Sequence, residues 1–283
     1  MEDPRREGWL IRRPALFFAR LLLATTGVLA ISPVLADRAV VQRVEMREAK
    51  FTAEPSIRFI YALPADGEDR RYDVNRHLTR SIKIVQRALA QRMDGKSFRI
   101  PKSGSEPEIL FLRLSRNDDW YKARGMTMGG ELEKELDQSM LLDHNTRYLM
   151  FYDGSGPGHC GTSPNPPQVP GVMAKLYLRA SNPDGRPCIA SRAKTDADLP
   201  SIFEWRIIHE LFHTLGAVQP CASNYLPYGH VSDDPRDVMY TGPLHWKPDI
   251  IDVGNDDYFR HDRANCADLQ HSPFFTRIKS DSE

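Results

Sequence analysis

The chain has 283 residues, of which 41% are hydrophobic and 27% charged, and its 38 basic and 38 acidic residues give a formal net charge of zero. This composition is that of an ordinary globular protein and excludes a disordered or fibrous chain. Without an excess of positive charge, nucleic acid is not expected as the main partner.

The N-terminus has the three parts of an export signal. Residues 1–13 carry four arginines, residues 14–32 are apolar apart from Arg20, and a Val-Leu-Ala sequence ending at Ala36 suits a signal peptidase. We therefore predict a signal peptide over residues 1–36 and a secreted or extracytoplasmic protein without stable membrane insertion after cleavage. An uncleaved signal anchor is the alternative, because the apolar stretch approaches the ~20 residues that span a bilayer.

The next part of the chain alternates between strand and helix patterns. Residues 56–63 alternate as in a strand, and residues 74–93 place their apolar side chains on one helical stripe, with Asp73 in position to cap the helix. Further elements are predicted as strand 109–114, helix 130–142 and strands 147–152 and 172–179.

Residues 154–171 are dense in Gly and Pro and must form a loop, which Cys160 can pin. In an exported protein, an even number of cysteines indicates disulfides. We predict the pairs Cys160–Cys188 and Cys221–Cys266, because each pair lies within one half of the chain, although four cysteines allow two other pairings.

The order of these elements predicts an α+β fold of the two-lobe kind, with a mixed sheet. A catalytic domain over residues 37–283 would have an N-terminal lobe of about residues 37–216, ending in the helix that contains HELFH. Residues 217–283 are richer in Pro, Asp and Tyr and show little periodicity, so we predict an irregular C-terminal lobe packed on the first across a cleft.

The segment Asp198-Leu199-Pro200-Ser201 favours a helix start, and Gly216 can end this helix. His209 and His213 lie four residues apart, so both imidazoles project from one side and can share one metal ion. The alternative is a helix whose two histidines are only hydrogen-bonded.

Glu210 follows His209 and lies about 100° further round the helix. A carboxylate there can reach a metal-bound water without binding the ion itself. Zinc lowers the pKa of such a water towards ~7, so Glu210 could take its proton and pass it to the leaving amine.

The pattern H-E-x-x-H-x-x-G followed by a methionine resembles the metzincin clan of zinc peptidases, in which a third ligand usually follows the glycine by three residues. That position is Gln219, a poor zinc ligand. More closely, HELFHTLGAVQ, GHVSDDPRDVMY and NDDYF resemble a group of secreted bacterial zincin-like metallopeptidases. This resemblance implies that His230 is the third zinc ligand and that Asp233 and Asp237 support the metal or form a nearby cation site.

The residues themselves allow the same third ligand. Two glycines and two prolines between His213 and His230 let the chain turn back under the helix, and the separation of 17 residues gives ample reach. Asp233 is the next candidate and would give a two-histidine, one-carboxylate site. The remaining alternatives are Gln219, Asp234 and His245.

Three further residue groups have candidate roles. By the resemblance, Met239 would lie beneath the metal, although it could equally be a core methionine, and Tyr240 is a candidate donor to the developing oxyanion. Near the C-terminus, Asp252, Asp256 and Asp257 could bind Ca²⁺, with a solvated acidic turn as the favoured alternative.

These features predict a secreted zinc endopeptidase that acts on protein or peptide substrates. A strand at the sheet edge, expected to be residues 172–179, would pair with the substrate backbone. Two alternatives stay open: an inactive binding protein that keeps zinc for structure, and a zinc hydrolase of non-peptide amides.

Overall fold

The computed structural model describes residues 43–51, 53–182, 185–189 and 199–278. The predicted signal peptide, residues 1–36, lies outside these ranges. Within them, no helix is both long enough and apolar enough to cross a membrane.

Twelve strands and four α-helices occur in the described part of the chain. The strands are β1 Val44–Glu45, β2 Ile57–Leu63, β3 Lys96–Phe98, β4 Lys102–Ser103, β5 Glu106–Pro107, β6 Ile109–Arg113, β7 Arg147–Tyr152, β8 Gly161–Thr162, β9 Met173–Tyr177, β10 Tyr225–Leu226, β11 His230–Val231 and β12 Phe275–Arg277. The helices are α1 His77–Arg92, α2 Asp118–Lys122, α3 Met128–Gln138 and α4 Ile202–Thr214.

A six-stranded mixed sheet organises the fold, in the order β1-β6-β2-β7-β9-β8. Its first five strands run parallel, and only β8 is antiparallel to its neighbour β9. The predicted α+β class is confirmed, with a mixed sheet, few helices and a C-terminal part of mostly irregular structure.

Both faces of the sheet are buried, which explains why its strands read as continuous apolar runs. Along β2, Phe59 and Tyr61 face the apolar cluster that includes residues of α1 and α4, whereas Ile60 faces the cluster that includes α3. Strand β7 alternates in the same way. The sheet therefore lies between two helical layers, one formed by α1 and α4 and the other including α3.

Helix α1 begins three residues later than predicted. Its N-cap position is Arg76 rather than Asp73, because the Asp73 carboxylate is bound by Arg43, with Nε 2.6 Å and Nη2 2.8 Å from its two oxygens. The capping role predicted for Asp73 is therefore wrong. Arg43, 30 residues before Asp73 in the sequence, binds the carboxylate that was expected to cap the helix.

Both predicted disulfides, Cys160–Cys188 and Cys221–Cys266, are confirmed, and together they account for all four cysteines of the chain. The first ties the Gly- and Pro-rich loop to the segment before α4. The second closes part of the irregular C-terminal region. That region also returns to the rest of the fold, since β12 pairs antiparallel with β3.

The strand expected at the edge of the sheet is not an edge strand. Residues 173–177 form β9, which pairs on one side with β7 and on the other with β8. The predicted edge position of residues 172–179 is therefore wrong. Gly161 and Thr162, inside the loop predicted to be irregular, form the outermost strand instead.

Candidate metal centre

Helix α4 is fixed at its N-terminus by a complete capping box. The side chain of Ser201 accepts from the backbone of the first turn, and the Glu204 carboxylate accepts from the Ser201 N–H at 2.8 Å. Glu204 is fully buried and also accepts a hydrogen bond from Ser81 Oγ on α1 at 2.7 Å. These bonds hold the helix in one position against α1, and Gly216 follows its end with a φ of +76°.

The two helix histidines face each other as ligands of one ion would. Nε2 of His209 lies 3.1 Å from Nε2 of His213, and the rings are perpendicular. Two nitrogens bound to one tetrahedral zinc ion are roughly 3.4 Å apart, given Zn–N bonds of about 2.0–2.1 Å. Nδ1 of His209 lies 2.7 Å from the Val238 carbonyl oxygen. Because a carbonyl only accepts, Nδ1 carries the proton and Nε2 keeps its lone pair.

His230 comes to the same point from the C-terminal region. It begins β11, which pairs antiparallel with β10 across a turn containing Gly229 at φ +77°. A Cβ at Gly229 would lie 2.4 Å from the side chain of Asn165, so only glycine permits this approach. The His230 ring is 4.7 Å from that of His213, and the candidate ligand atoms of the three histidines lie within 4.8 Å of one another.

The other candidate third ligands do not join this group. Gln219 is buried and bonded within the fold: its Nε2 donates to Pro166 O and Gly216 O, and its Oε1 accepts from Gln168. Asp233 and His245 are exposed, outside the cluster of ligand atoms. The remaining candidate, Asp234, forms an ion pair with Arg236 at 2.6 Å.

All three histidines are held in the neutral form. Burial lowers the pKa of His209 and of His230 to about 4, and it lowers the pKa of His213 well below its ordinary value. Neutral imidazole is the form that binds metal ions. Three neutral imidazoles around one point are a ligand set suited to Zn²⁺, and three protein ligands leave a coordination position open for a reactant. The residues present therefore fit a zinc ion.

Glu210 is buried beside this cluster, with its carboxylate held by the loop between β7 and β9. Ser163 Oγ lies 2.6 Å from its Oε2, and a Cβ at Gly161 would lie only 2.3 Å from its Oε1. Burial raises the pKa of Glu210 to about 7, against the effect of the Ser163 hydrogen bond, which lowers it. A carboxyl group with such a pKa can both accept and release a proton near neutral pH.

A cavity of about 410 Å³ opens over these groups, lined by His209, Glu210 and His230. Its walls include three side chains that the sequence analysis did not select, His159, Asn182 and Arg206. Within the described residues, His159 Nε2 is buried without a hydrogen-bond partner, while its Nδ1 lies 2.7 Å from Gly161 O.

Another part of the cavity wall comes from Tyr240 and the residues that follow it. Met239 is fully buried in the core, and its neighbour Tyr240 lines the cavity. The Tyr240 hydroxyl accepts a hydrogen bond from Leu244 N at 3.2 Å, which leaves its own proton available to a ligand. Trp246 packs edge-on against His209, with ring centroids 5.6 Å apart.

The acidic cluster near the C-terminus is built into the fold. Asp252 and Asp257 are buried, so the expectation of a solvated turn is wrong for both. The Asp252 carboxylate accepts from the backbone N–H groups of residues 256–259, and Asp257 accepts from the backbone and side chain of Asn224. One oxygen from each of Asp252, Asp256 and Asp257 lies within 4.8 Å of the others, so the three carboxylates form an oxygen cluster of the kind that Ca²⁺ prefers.

No protein-family model and no curated protein matches this chain. Among solved structures it is similar to archaemetzincin from Methanopyrus kandleri, with 16% identity and a TM-score of 0.35 over 65% of this chain and 81% of that one. It is also similar to wild-type OgpA from Akkermansia muciniphila, with 16% identity and a TM-score of 0.43 over 77% of this chain and 62% of OgpA. The chain thus spans less than two thirds of the length of OgpA. At such identities and TM-scores the likeness establishes neither an activity nor a ligand.

Proposed function

We propose that this protein is an exported zinc-dependent endopeptidase in which His209, His213 and His230 hold the ion and Glu210 is the general base. The convergence of three neutral imidazoles beside a buried carboxylate, at the floor of an open cavity, supports this proposal most directly. A purely structural zinc site is usually closed by four protein ligands and needs no such cavity.

When bound, zinc supplies a Lewis acid that polarises the attacked carbonyl and lowers the pKa of water. Glu210 takes a proton from the attacking water and delivers it to the leaving amine. The Ser163 hydroxyl donates a hydrogen bond to Glu210 Oε2 at 2.6 Å and so restricts the motion of the carboxylate. Tyr240 presents a hydroxyl at the cavity wall, where it can donate to charge that develops on the carbonyl oxygen.

Two features support export and a peptide substrate. Two disulfides persist in oxidising compartments such as the periplasm or the cell exterior, where the predicted signal peptide over residues 1–36 would direct the chain. Strand β8 lies at the outer edge of the sheet and belongs to the segment between β7 and β9 that holds Glu210. An extended peptide can add to such an edge and cross the cavity.

The test combines metal analysis with hydrolysis. The purified protein is expected to contain one zinc ion per chain and to cleave casein, an unstructured protein; 1,10-phenanthroline should stop cleavage and added zinc restore it. His230→Ala should lose zinc on dialysis, because it removes one of three ligands. Zinc would be measured by mass spectrometry and cleavage by release of peptides.

Asp233→Ala and Gln219→Ala are the matched controls, since both residues were candidate ligands from sequence and neither joins the histidine cluster. Both variants should keep their zinc. Retention of zinc by His230→Ala together with its loss in Asp233→Ala would overturn the proposed ligand set. Stoichiometric zinc without cleavage of any protein would indicate a binding protein instead.

Ser163→Ala should lower kcat/KM about tenfold without loss of zinc, because a single hydrogen bond to a charged group contributes roughly 1.5–3 kcal/mol and Glu210 stays in place otherwise. The hydrogen bond from Ser163 lowers the pKa of Glu210, so its removal should shift the acidic limb of the pH–rate profile to higher pH. Ser155→Ala is the control, since Ser155 lies in the same loop but bonds to Asp118. An unshifted acidic limb would argue against this role of Ser163.

A further inference from the structure

A second cavity, of about 480 Å³, lies away from the histidines, between α1, the β3–β12 ribbon and the β4–β5 hairpin. None of the residues that line it lines the cavity over Glu210. Its volume falls in the range of ordinary ligand sites, which is roughly 300–1,000 Å³. We refer to it as the basic groove, because five of the side chains that line it are basic.

The lining of the basic groove is strongly cationic. It includes five basic side chains and no acidic one, although the chain as a whole is neutral. The five are Lys83, Arg87, Arg99, Lys102 and Arg277. Three separate parts of the fold thus bring positive charge to one concave surface, where a low-dielectric wall strengthens the attraction of an anion.

Two of these cations already hold carboxylates of the chain itself. Lys83 pairs with Glu106 at 2.6 Å, and Arg99 pairs with Glu54 at 2.7 Å. Arg87 has an interaction partner of its own as well.

Lys102 and Arg277 carry the charge that is left for a ligand. Both are exposed, and in the described part of the chain neither forms an ion pair with a carboxylate. Arg277 is oriented by a hydrogen bond from its Nη1 to the Asp94 carbonyl oxygen at 2.7 Å. That bond leaves the guanidinium charge uncompensated, since a carbonyl carries no net charge.

The floor of the groove is apolar in part. Ile100 and Ile278, both partly exposed, lie among the lining residues, whereas Phe98 is fully buried and stacks on Phe275 at 5.2 Å. A sulfated glycan or polyphosphate would leave this apolar surface unused. A peptide with acidic and apolar side chains would use both the cations and the floor.

We propose that the basic groove binds an acidic peptide segment, with Lys102 and Arg277 contacting its carboxylates and the partly exposed Ile100 and Ile278 receiving its apolar side chains. This site is separate from the metal centre and does not depend on hydrolysis. In a peptidase it would serve to hold an acidic stretch of a substrate or partner at a distance from the bond that is cut.

The test measures binding of a fluorescein-labelled octapeptide of alternating aspartate and leucine to the purified protein by fluorescence anisotropy. Lys102→Ala/Arg277→Ala should weaken binding about tenfold, because each exposed ion pair contributes up to about a fivefold change in affinity. Lys102→Ala alone should weaken binding about threefold. Because Lys102 is exposed and forms no ion pair among the described residues, this single substitution is not expected to disturb the fold. The same peptide with asparagine in place of aspartate should bind much more weakly, and added salt should reduce binding of the acidic form.

Lys122→Ala/Lys134→Ala is the matched control. Both lysines are exposed and lie outside the groove, and their substitution removes the same two positive charges. Equal weakening in this control would show general charge attraction and overturn the site. Absence of measurable binding would also overturn it. Tighter binding of heparin or polyphosphate than of the peptide, lost in the Lys102→Ala/Arg277→Ala variant, would assign the groove to an anionic polymer instead. Repeating the assay with Glu210→Gln and with metal-free protein separates these results from the proposed peptidase activity, which neither preparation retains.

Discussion

Glu210→Gln is expected to reduce kcat/KM by about a thousandfold or more while the zinc content stays at one ion per chain. Positioned general bases contribute about 10²–10⁴-fold, and the amide cannot take a proton from water. Glutamine keeps the shape of the side chain and an oxygen that can accept the hydrogen bond from Ser163. The geometry around His209 and His213 should therefore persist.

The measurement pairs steady-state cleavage of a fluorogenic peptide with zinc analysis and thermal unfolding of the same samples. Glu210→Asp provides the graded comparison, since it keeps the carboxylate but withdraws it by one methylene, and it should retain more activity than the glutamine variant. If Glu210→Gln cleaved within tenfold of the unsubstituted protein, with zinc bound, another group would have to be the base.

The sequence predicted an element correctly where residues close together in the chain determine it. The apolar run at residues 109–114 predicted an inner strand and residues 147–152 predicted a further strand, and both are strands with residues in the apolar clusters on the two faces of the sheet. The segment Asp198-Leu199-Pro200-Ser201 and Gly216 predicted the two ends of α4, which has Ser201 as its N-cap and ends just before Gly216, because capping chemistry depends mainly on neighbouring residues. The pairing of the four cysteines also agreed with the structure, since both disulfides close within one half of the chain.

What the sequence missed depends on contacts between distant segments. Strand β8 has two residues and no β pattern, and it exists because β9 offers it an edge. The loop that contains Cys160 also supplies Ser163, which bonds to Glu210, and His159, which lines the same cavity. The only sequence signal of these two residues was a cysteine among glycines and prolines. The sequence also did not predict that Asp252 binds the backbone of its own turn, because every residue except proline has a backbone N–H and the donors cannot be recognised from residue type.

Asp237→Ala should lower the free energy of unfolding by about 3–5 kcal/mol, the largest stability effect expected in the C-terminal region. The Asp237 carboxylate is fully buried. Its Oδ1 accepts from Met239 N at 2.6 Å and from the Tyr258 hydroxyl at 2.8 Å, and its Oδ2 accepts from Val253 N at 2.8 Å. Alanine would leave three buried donors without an acceptor, and each such donor costs about 1–3 kcal/mol.

Urea unfolding of metal-free protein isolates this effect from the loss of zinc. Asp237→Asn, which keeps one acceptor oxygen, should fall between alanine and the unsubstituted protein. The control is Asp234→Ala, three residues away, whose carboxylate forms a surface pair with Arg236 and whose removal should leave the midpoint unchanged. Because the Val238 carbonyl that orients His209 directly follows Asp237, Asp237→Ala should also bind zinc roughly 10–100-fold more weakly. If Asp237→Ala were strongly destabilised but bound zinc with normal affinity, Asp237 would stabilise the fold of this region without orienting His209.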